Sequence, residues 1–368
     1  MSKMRTWNYG TLRSRLAVCS PVAVGDVIAG KYRIDRMLGS GGMGVVVGAT
    51  HLQLEQRIAI KFMLPLEAID ENGVRRFMQE ARAAARIQCE HVARVLDVAS
   101  LPDGTPYIVM EYLEGNDLDH VLGEKGRLPT AEAVDYVLQA CEAIAEAHVA
   151  GIVHRDLKPG NLFRCVHADG SPLIKVFDFG VSKLLPKAGG KAERSMTLPR
   201  DIVGSPLNLS PEQIRSSRDV DARSDIWALG TILYELISGE PPFVAETVPE
   251  ICANILRSPL RPIRELLPEL PAALDSVFAR SLEKDPENRF QTVADLAEAL
   301  APFAGPRALI SVERIVRVVR GAPKESPPGS LESSLRRLRS RLEAGHSSKT
   351  AQLRAVAKIR QLSRSAFG

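Results

Sequence analysis

The chain has 368 residues, 45% of them hydrophobic and 25% charged, so it can bury one large core or two smaller ones, and a globular enzyme is permitted. Its net charge of +4 is split unevenly: residues 306–368 sum to +10 and residues 1–305 to −6. The five cysteines stand singly with no C-x-x-C pair, so they read as reduced thiols and not as zinc ligands or a disulfide framework, and no run approaches the roughly 18 to 20 apolar residues of a bilayer span.

Residues 1–25 read as a disordered extension. The apolar patch Leu16-Ala17-Val18-Cys19 is broken by Ser20-Pro21, too short for a signal sequence. Short β-branched runs follow at 32–38, 44–50, 58–63, 93–99 and 106–112, with one helical interruption over about 69–87. Asp103-Gly104 is the turn that joins the last two strands. After Gly115 helical periodicity takes over, at 130–150, 223–238, 248–257, 272–283 and 292–300. Between the first two of these helices lies a polar, Gly/Pro-punctuated stretch over 151–218, and loops of that length are usually functional or disordered. Residues 321–330 have linker composition, and Leu331, Leu335, Leu338 and Leu342 then form one stripe among arginines, a basic amphipathic helix. The predicted organisation is α+β: a small mainly β lobe at about 26–112 carrying one key helix, a larger mainly α lobe at about 113–305, and a basic tail at 306–368.

Four features carry chemistry. Gly39, Gly41, Gly42 and Gly44 follow a predicted strand, and because Val45-Val46-Val47 continues as a second strand the motif is a hairpin able to lie over phosphates, unlike a Rossmann turn that opens a helix. Lys61 ends an apolar strand, where a lone cation suits no packing role, and Glu80 on the following helix could hold its ammonium. The stretch His154-Arg155-Asp156-Leu157-Lys158-Pro159-Gly160-Asn161 precedes Val176-Phe177-Asp178-Phe179-Gly180. Phosphoryl transfer to a hydroxyl needs a carboxylate to accept the proton, cations for the phosphate oxygens and ligands for a hard metal ion. Asp156 suits the first role, Lys158 the second, and Asn161 and Asp178 the third.

These motifs, with Ser210-Pro211-Glu212, resemble the eukaryotic-like protein kinase family, most closely its bacterial members, over about 32–303. The resemblance implies a bilobal kinase fold, ATP with Mg²⁺ (or Mn²⁺), and protein substrates. Lys158 resembles the serine/threonine branch. It further implies nucleotide contacts from the four glycines, Lys61, Val46, Ala59, Met110 as gatekeeper, and Glu111 and Leu113 of the hinge. Glu212 with Arg289, and Asp225, are expected to be scaffolding. Arg155 is expected to receive a phosphate on the activation loop, with Thr197 the first candidate and Ser195 the second. Three positions depart from the family pattern: Ser205 for threonine, Asn208 for tyrosine, and the small Ala84 one turn after Glu80. Two rival readings are a pseudokinase scaffold and a small-molecule phosphotransferase. The basic tail has three candidate roles, an intramolecular contact with the acidic domain, recruitment of an acidic partner, or none; nucleic acid is not expected but stays open for the tail alone. With neither a membrane span nor an external sensor in the sequence, a cytoplasmic location is expected.

Overall fold

The computed structural model describes residues 20–41, 44–64, 71–179, 206–216 and 220–321. The chain divides into two compact units, residues 1–78 with 95–112, and residues 79–94 with 113–368.

The first unit holds a six-stranded sheet built from β1 (Val27–Ile28), β2 (Tyr32–Gly41), β3 (Gly44–His51), β4 (Gln56–Met63), β5 (Val95–Ser100) and β6 (Pro106–Glu111). Their spatial order is β1-β2-β3-β4-β6-β5, and every pairing is antiparallel. Successive side chains of a strand point to opposite faces, so alternation decides which residues share a core. Val45, Val47, Ile58, Ile60, Phe62 and Val109 fall on one face and form its apolar cluster with Ile34 and Tyr107. Gly104, at φ 89°, turns the hairpin between β5 and β6, as the Asp103-Gly104 pair predicts; the Asp103 carboxylate accepts the Thr105 N–H at 2.9 Å. Residues 20–25 are not wholly detached from the sheet: Val22 packs on its core and the Gly25 N–H bonds Ile34 O at 2.9 Å.

Helix α1 (Glu71–Arg86) runs out of the first unit into the second. The second unit continues with the short β7 (Asn116–Asp117), α2 (Leu118–Lys125) and α3 (Thr130–Val149). Then come β8 (Leu162–Val166), β9 (Pro172–Val176), α4 (Pro211–Arg215) and α5 (Ala222–Ser238). Helices α6 (Val248–Arg257), α7 (Ala272–Ser281), α8 (Val293–Leu300) and α9 (Ala308–Arg320) complete it. Both α3 and α5 are apolar on most sides, as helices central to a core must be. Side-chain caps fix the helix starts: Asp117 for α2, Thr247 with Glu250 for α6, and Thr292 with Asp295 for α8. The strands β7, β8 and β9 make a small antiparallel sheet that carries the polar stretch between the first two long helices.

The sequence-based boundary at residue 306 falls inside this packed unit. Leu309, Val312, Ile315 and Val316 of α9 are buried in the same apolar cluster as α3 and α8. Arginines at 314, 317 and 320 give the segment its basic composition, while its apolar stripe at helical spacing does the packing. The predicted stripe at 331–342 lies outside the described residues.

Candidate active site

In the first unit, one face of the sheet carries several of the residues with roles expected from the sequence. Val46 pairs with Lys61, and Ala59 with Met110, in directly opposed registers. Opposed residues of an antiparallel pair lie on the same face, and Ala59 and Lys61 are two apart on one strand, so all four share the face opposite the apolar cluster. Lys61 is 6% exposed there, a burial that an ammonium tolerates only with partners. Gly39 also sits opposite Val46. At Gly44 a Cβ would stand 2.2 Å from the Phe62 carbonyl oxygen, so glycine is required for β3 to approach β4. Glu111 ends β6. Gly41 closes β2 opposite Gly44, while Gly42 lies outside the described residues.

In the second unit, the loop between α3 and β8 carries further such residues. Its anchor is Asp225, in the first turn of α5 and 1% exposed. The carboxylate accepts the backbone N–H groups of His154 and Arg155 and is bonded by His148 Nε2, all at 2.8 Å. Burial opposes ionisation of Asp225, but the hydrogen bond and charge of His148 and the backbone donors outweigh it and hold the carboxyl below its usual range. Arg155 has φ 66° and Asp178 φ 57°, left-handed conformations that cost a non-glycine residue about 1 to 3 kcal/mol and persist where surrounding bonds dictate them. Gln213 Nε2 of α4 adds a bond to Arg155 O at 2.8 Å.

Held this way, the loop sets the reacting groups. Lys158 Nζ lies 3.0 Å from Asp156 Oδ2. Asn161 Nδ2 donates to Asp156 O at 2.7 Å, which leaves its Oδ1 as the atom to offer a cation. His154 is fully buried against Phe179, ring centroids 4.6 Å apart, with Nε2 3.2 Å from Phe177 O; burial pushes its pKa down. Phe177 N–H bonds Asn161 O at 3.2 Å, so the segments bearing Asn161 and Asp178 are tied together.

The expected scaffolding is in place. Arg289 grips Glu212 with two bonds of 2.7 Å, and Ser224 Oγ donates to the same carboxylate at 2.5 Å. Burial alone would raise the Glu212 pKa, and the Arg289 bonds and charge bring it below normal. Asn208, in place of the family's aromatic, donates to Thr231 Oγ1 at 2.8 Å, a polar tie to α5 that substitutes for ring packing. His148, Gln213 and Ser224 are the functional supports that sequence reasoning missed. Their signal was a polar residue on an otherwise apolar helix or beside a motif, which by itself names no partner. Glu80 is buried on α1 in the second unit and Leu113 begins that unit's main segment, while Lys61, Met110 and Glu111 belong to the first. Ser195, Thr197 and Ser205 lie outside the described residues.

Residues 32–300 match the protein kinase domain family. The chain is 34% identical over 310 residues to the serine/threonine-protein kinase PknB of Mycobacterium tuberculosis, covering 82% of this chain and 48% of that protein. Against serine/threonine-protein kinase Pkn1 of Myxococcus xanthus it is 35% identical over 302 residues, 80% of this chain and 42% of the relative. It thus spans less than half the length of these relatives. The crystal structure of the Mycobacterium tuberculosis PknI kinase domain superposes with a TM-score of 0.58 at 30% identity, over 76% of this chain and 98% of that one.

Proposed function

Since this chain belongs to the protein kinase family, we propose that it transfers the γ-phosphoryl group of ATP to serine and threonine hydroxyls of proteins. The observation that carries the reading is the loop around Asp156, where Lys158 lies 3.0 Å from the carboxylate and Asn161 bonds the Asp156 backbone. Asp156 orients the acceptor hydroxyl and takes its proton as the oxygen attacks phosphorus. Lys158 then neutralises charge on the phosphoryl group in flight. The strand face of Val46, Ala59 and Met110 supports an adenine-contacting role, Lys61 that of a phosphate ligand, and Glu80 that of its counter-ion.

An all-oxygen donor pair, Asn161 Oδ1 and the Asp178 carboxylate, fits a hard divalent cation such as Mg²⁺. Bound there, the ion supplies charge neutralisation at the phosphate oxygens. An enzyme that uses ATP belongs in the cytoplasm, and among the described residues no helix is long and apolar enough to cross a membrane.

Arg155 supports regulation by a phosphate on the activation loop. Its Nη2 donates to Val220 O at 3.2 Å, but Nε and Nη1 are buried with no hydrogen-bond partner among the described residues. A dianion on Thr197 or Ser195 would supply acceptors for both. Phosphosite mapping of active protein should find one of the two modified.

The test of the main reading is transfer of labelled γ-phosphate to the protein itself, to a basic protein acceptor and to a panel of small-molecule alcohols, with Asp156→Asn alongside. Label on protein serine or threonine, reduced at least about a hundredfold in the variant, is the expected result. Label on a small molecule alone would make the chain a phosphotransferase of another class, and silence from ATP-bound protein would make it a scaffold.

A further inference from the structure

Away from this site, the loop that follows α1 sets Glu90 and His91 against Glu142 of α3. His91 Nδ1 lies 2.8 Å from the Ile174 carbonyl oxygen, and a carbonyl at that distance calls for an N–H, so in the neutral ring the lone pair is on Nε2. That nitrogen faces Glu142 Oε1 at 3.6 Å and Glu90 Oε1 at 3.9 Å. Glu142 Oε1 is buried with no hydrogen-bond partner among the described residues. Three acceptor atoms therefore converge, two of them on residues only 4% and 7% exposed. Such a group is repulsive unless a cation shares it.

Arg314 of α9 supplies part of that charge. Its Nη1 lies 3.0 Å from Glu90 Oε1 and 3.4 Å from Glu142 Oε2, which leaves Glu142 Oε1 and His91 Nε2 facing each other. A proton on Nε2 would answer the charge but not the geometry, since 3.6 Å is too long for an N–H···O bond. A metal ion answers both: donors about 2.1 Å from a tetrahedral ion stand about 3.4 Å apart, close to the separations here. A carbonyl-bonded Nδ1 is also the usual way a ligating histidine is oriented. A cavity of about 250 Å³ adjoins the group, lined by Cys89, Glu146 and Arg317 among others, and offers an entry path.

We propose that Glu90, His91 and Glu142 form a binding site for a divalent transition-metal ion, with Zn²⁺ as the type, distinct from the catalytic cation site. One imidazole nitrogen and two carboxylates with an open fourth position suit such an ion. Arg314, half-exposed, swings away as the ion enters, so occupancy trades one cation for another and loosens the hold of α9 on this loop.

The experiment is calorimetric titration of the full chain with ZnCl₂, in the presence of Mg²⁺ and a non-hydrolysable ATP analogue to occupy the catalytic site. One added Zn²⁺ should bind per chain. Glu90→Gln, at an exposed position, should weaken it roughly tenfold or more, and His91→Ala at least as much. Arg314→Gln should tighten it by removing the competitor. Absence of binding in both wild type and Arg314→Gln, or an affinity unchanged by Glu90→Gln and His91→Ala, overturns the proposal and leaves a protonated histidine as the ion that completes the cluster.

Discussion

Two carboxylates served by helix α3 make an instructive pair. Asp225 receives His148 from that helix and two backbone N–H groups, each at 2.8 Å, so both of its oxygens are spoken for. Glu142 belongs to the same helix and is almost as buried, yet one oxygen has no hydrogen-bond donor among the described residues, and the carboxylate is met from a different element, α9, by the Arg314 guanidinium at 3.4 Å and by the Ser311 hydroxyl. Both carboxyls titrate below their usual range, and burial opposes this in both. The difference lies in who holds them. Backbone donors make Asp225 an anchor, whereas Glu142 is held by side chains of another element, one of which the proposed ion would displace.

Breaking the anchor should have the largest effect. Asp225→Ala strands the His154 and Arg155 N–H groups and frees a loop whose Arg155 already sits at φ 66°. The expected loss is about 3 to 5 kcal/mol in chemical denaturation, with phosphoryl transfer abolished. Arg289→Met should come next. It leaves Glu212 buried with Ser224 as its remaining side-chain donor among the described residues, and a loss of about 3 kcal/mol is expected, recovered in large part by the double variant with Glu212→Leu. If the double variant is no more stable than the single one, the cost lies in packing of Arg289 on Trp227 rather than in the stranded charge.

How far the sequence foretold these networks depends on whether a residue's role is local. Asp156, Lys158, Asn161 and Asp178 sit within a few residues of one another or of a distinctive neighbour, and their order along the chain marks them as candidates. The long strands and helices were legible from periodicity because each has one apolar face. Helix α9 was not, because its arginines dominate the composition that suggested a tail, although Leu309, Val312 and Ile315 are spaced for one face. The partners His91 and Glu142 are 51 positions apart and meet only through packing, so no motif could have paired them. His148 is likewise 77 positions from Asp225.

A third carboxylate sharpens the contrast. Glu235 on α5 is driven up to about 7, by burial first and by Asp119 second. Its folded value stands above the unfolded one, so between about pH 4.5 and 7 the native state binds more protons and stability falls as pH rises. Above pH 7 the whole cost is present. Glu235→Gln should therefore raise stability by on the order of 2 kcal/mol at pH 8 and by little at pH 4.5, read from melting curves at the two values. A gain that is equal at both would assign the effect to packing.

The smallest expected effect tests whether a buried base follows the same logic. Lys284 is half-buried, with its Nζ 3.7 Å from the Phe243 ring centroid and 5.0 Å from that of Trp227, and the nitrogen has no hydrogen-bond partner among the described residues. Burial, with the Arg289 charge second, lowers its pKa to about 8. From pH 8 up to 10.5 the unfolded chain holds the proton that the folded chain has lost, so this lysine makes stability rise with pH across that window. Below pH 8 the charge is carried in both states and the folded one bears its cost, which the aromatic faces partly offset. Lys284→Met keeps the apolar stem and removes the charge. Because solvent reaches the stem and screens the site, a gain of less than about 1 kcal/mol is expected at pH 7, together with loss of the upward slope above pH 8. A stability loss at pH 7 would mean that the cation-π contacts outweigh burial, and that this site, unlike Glu235, is held by its charge.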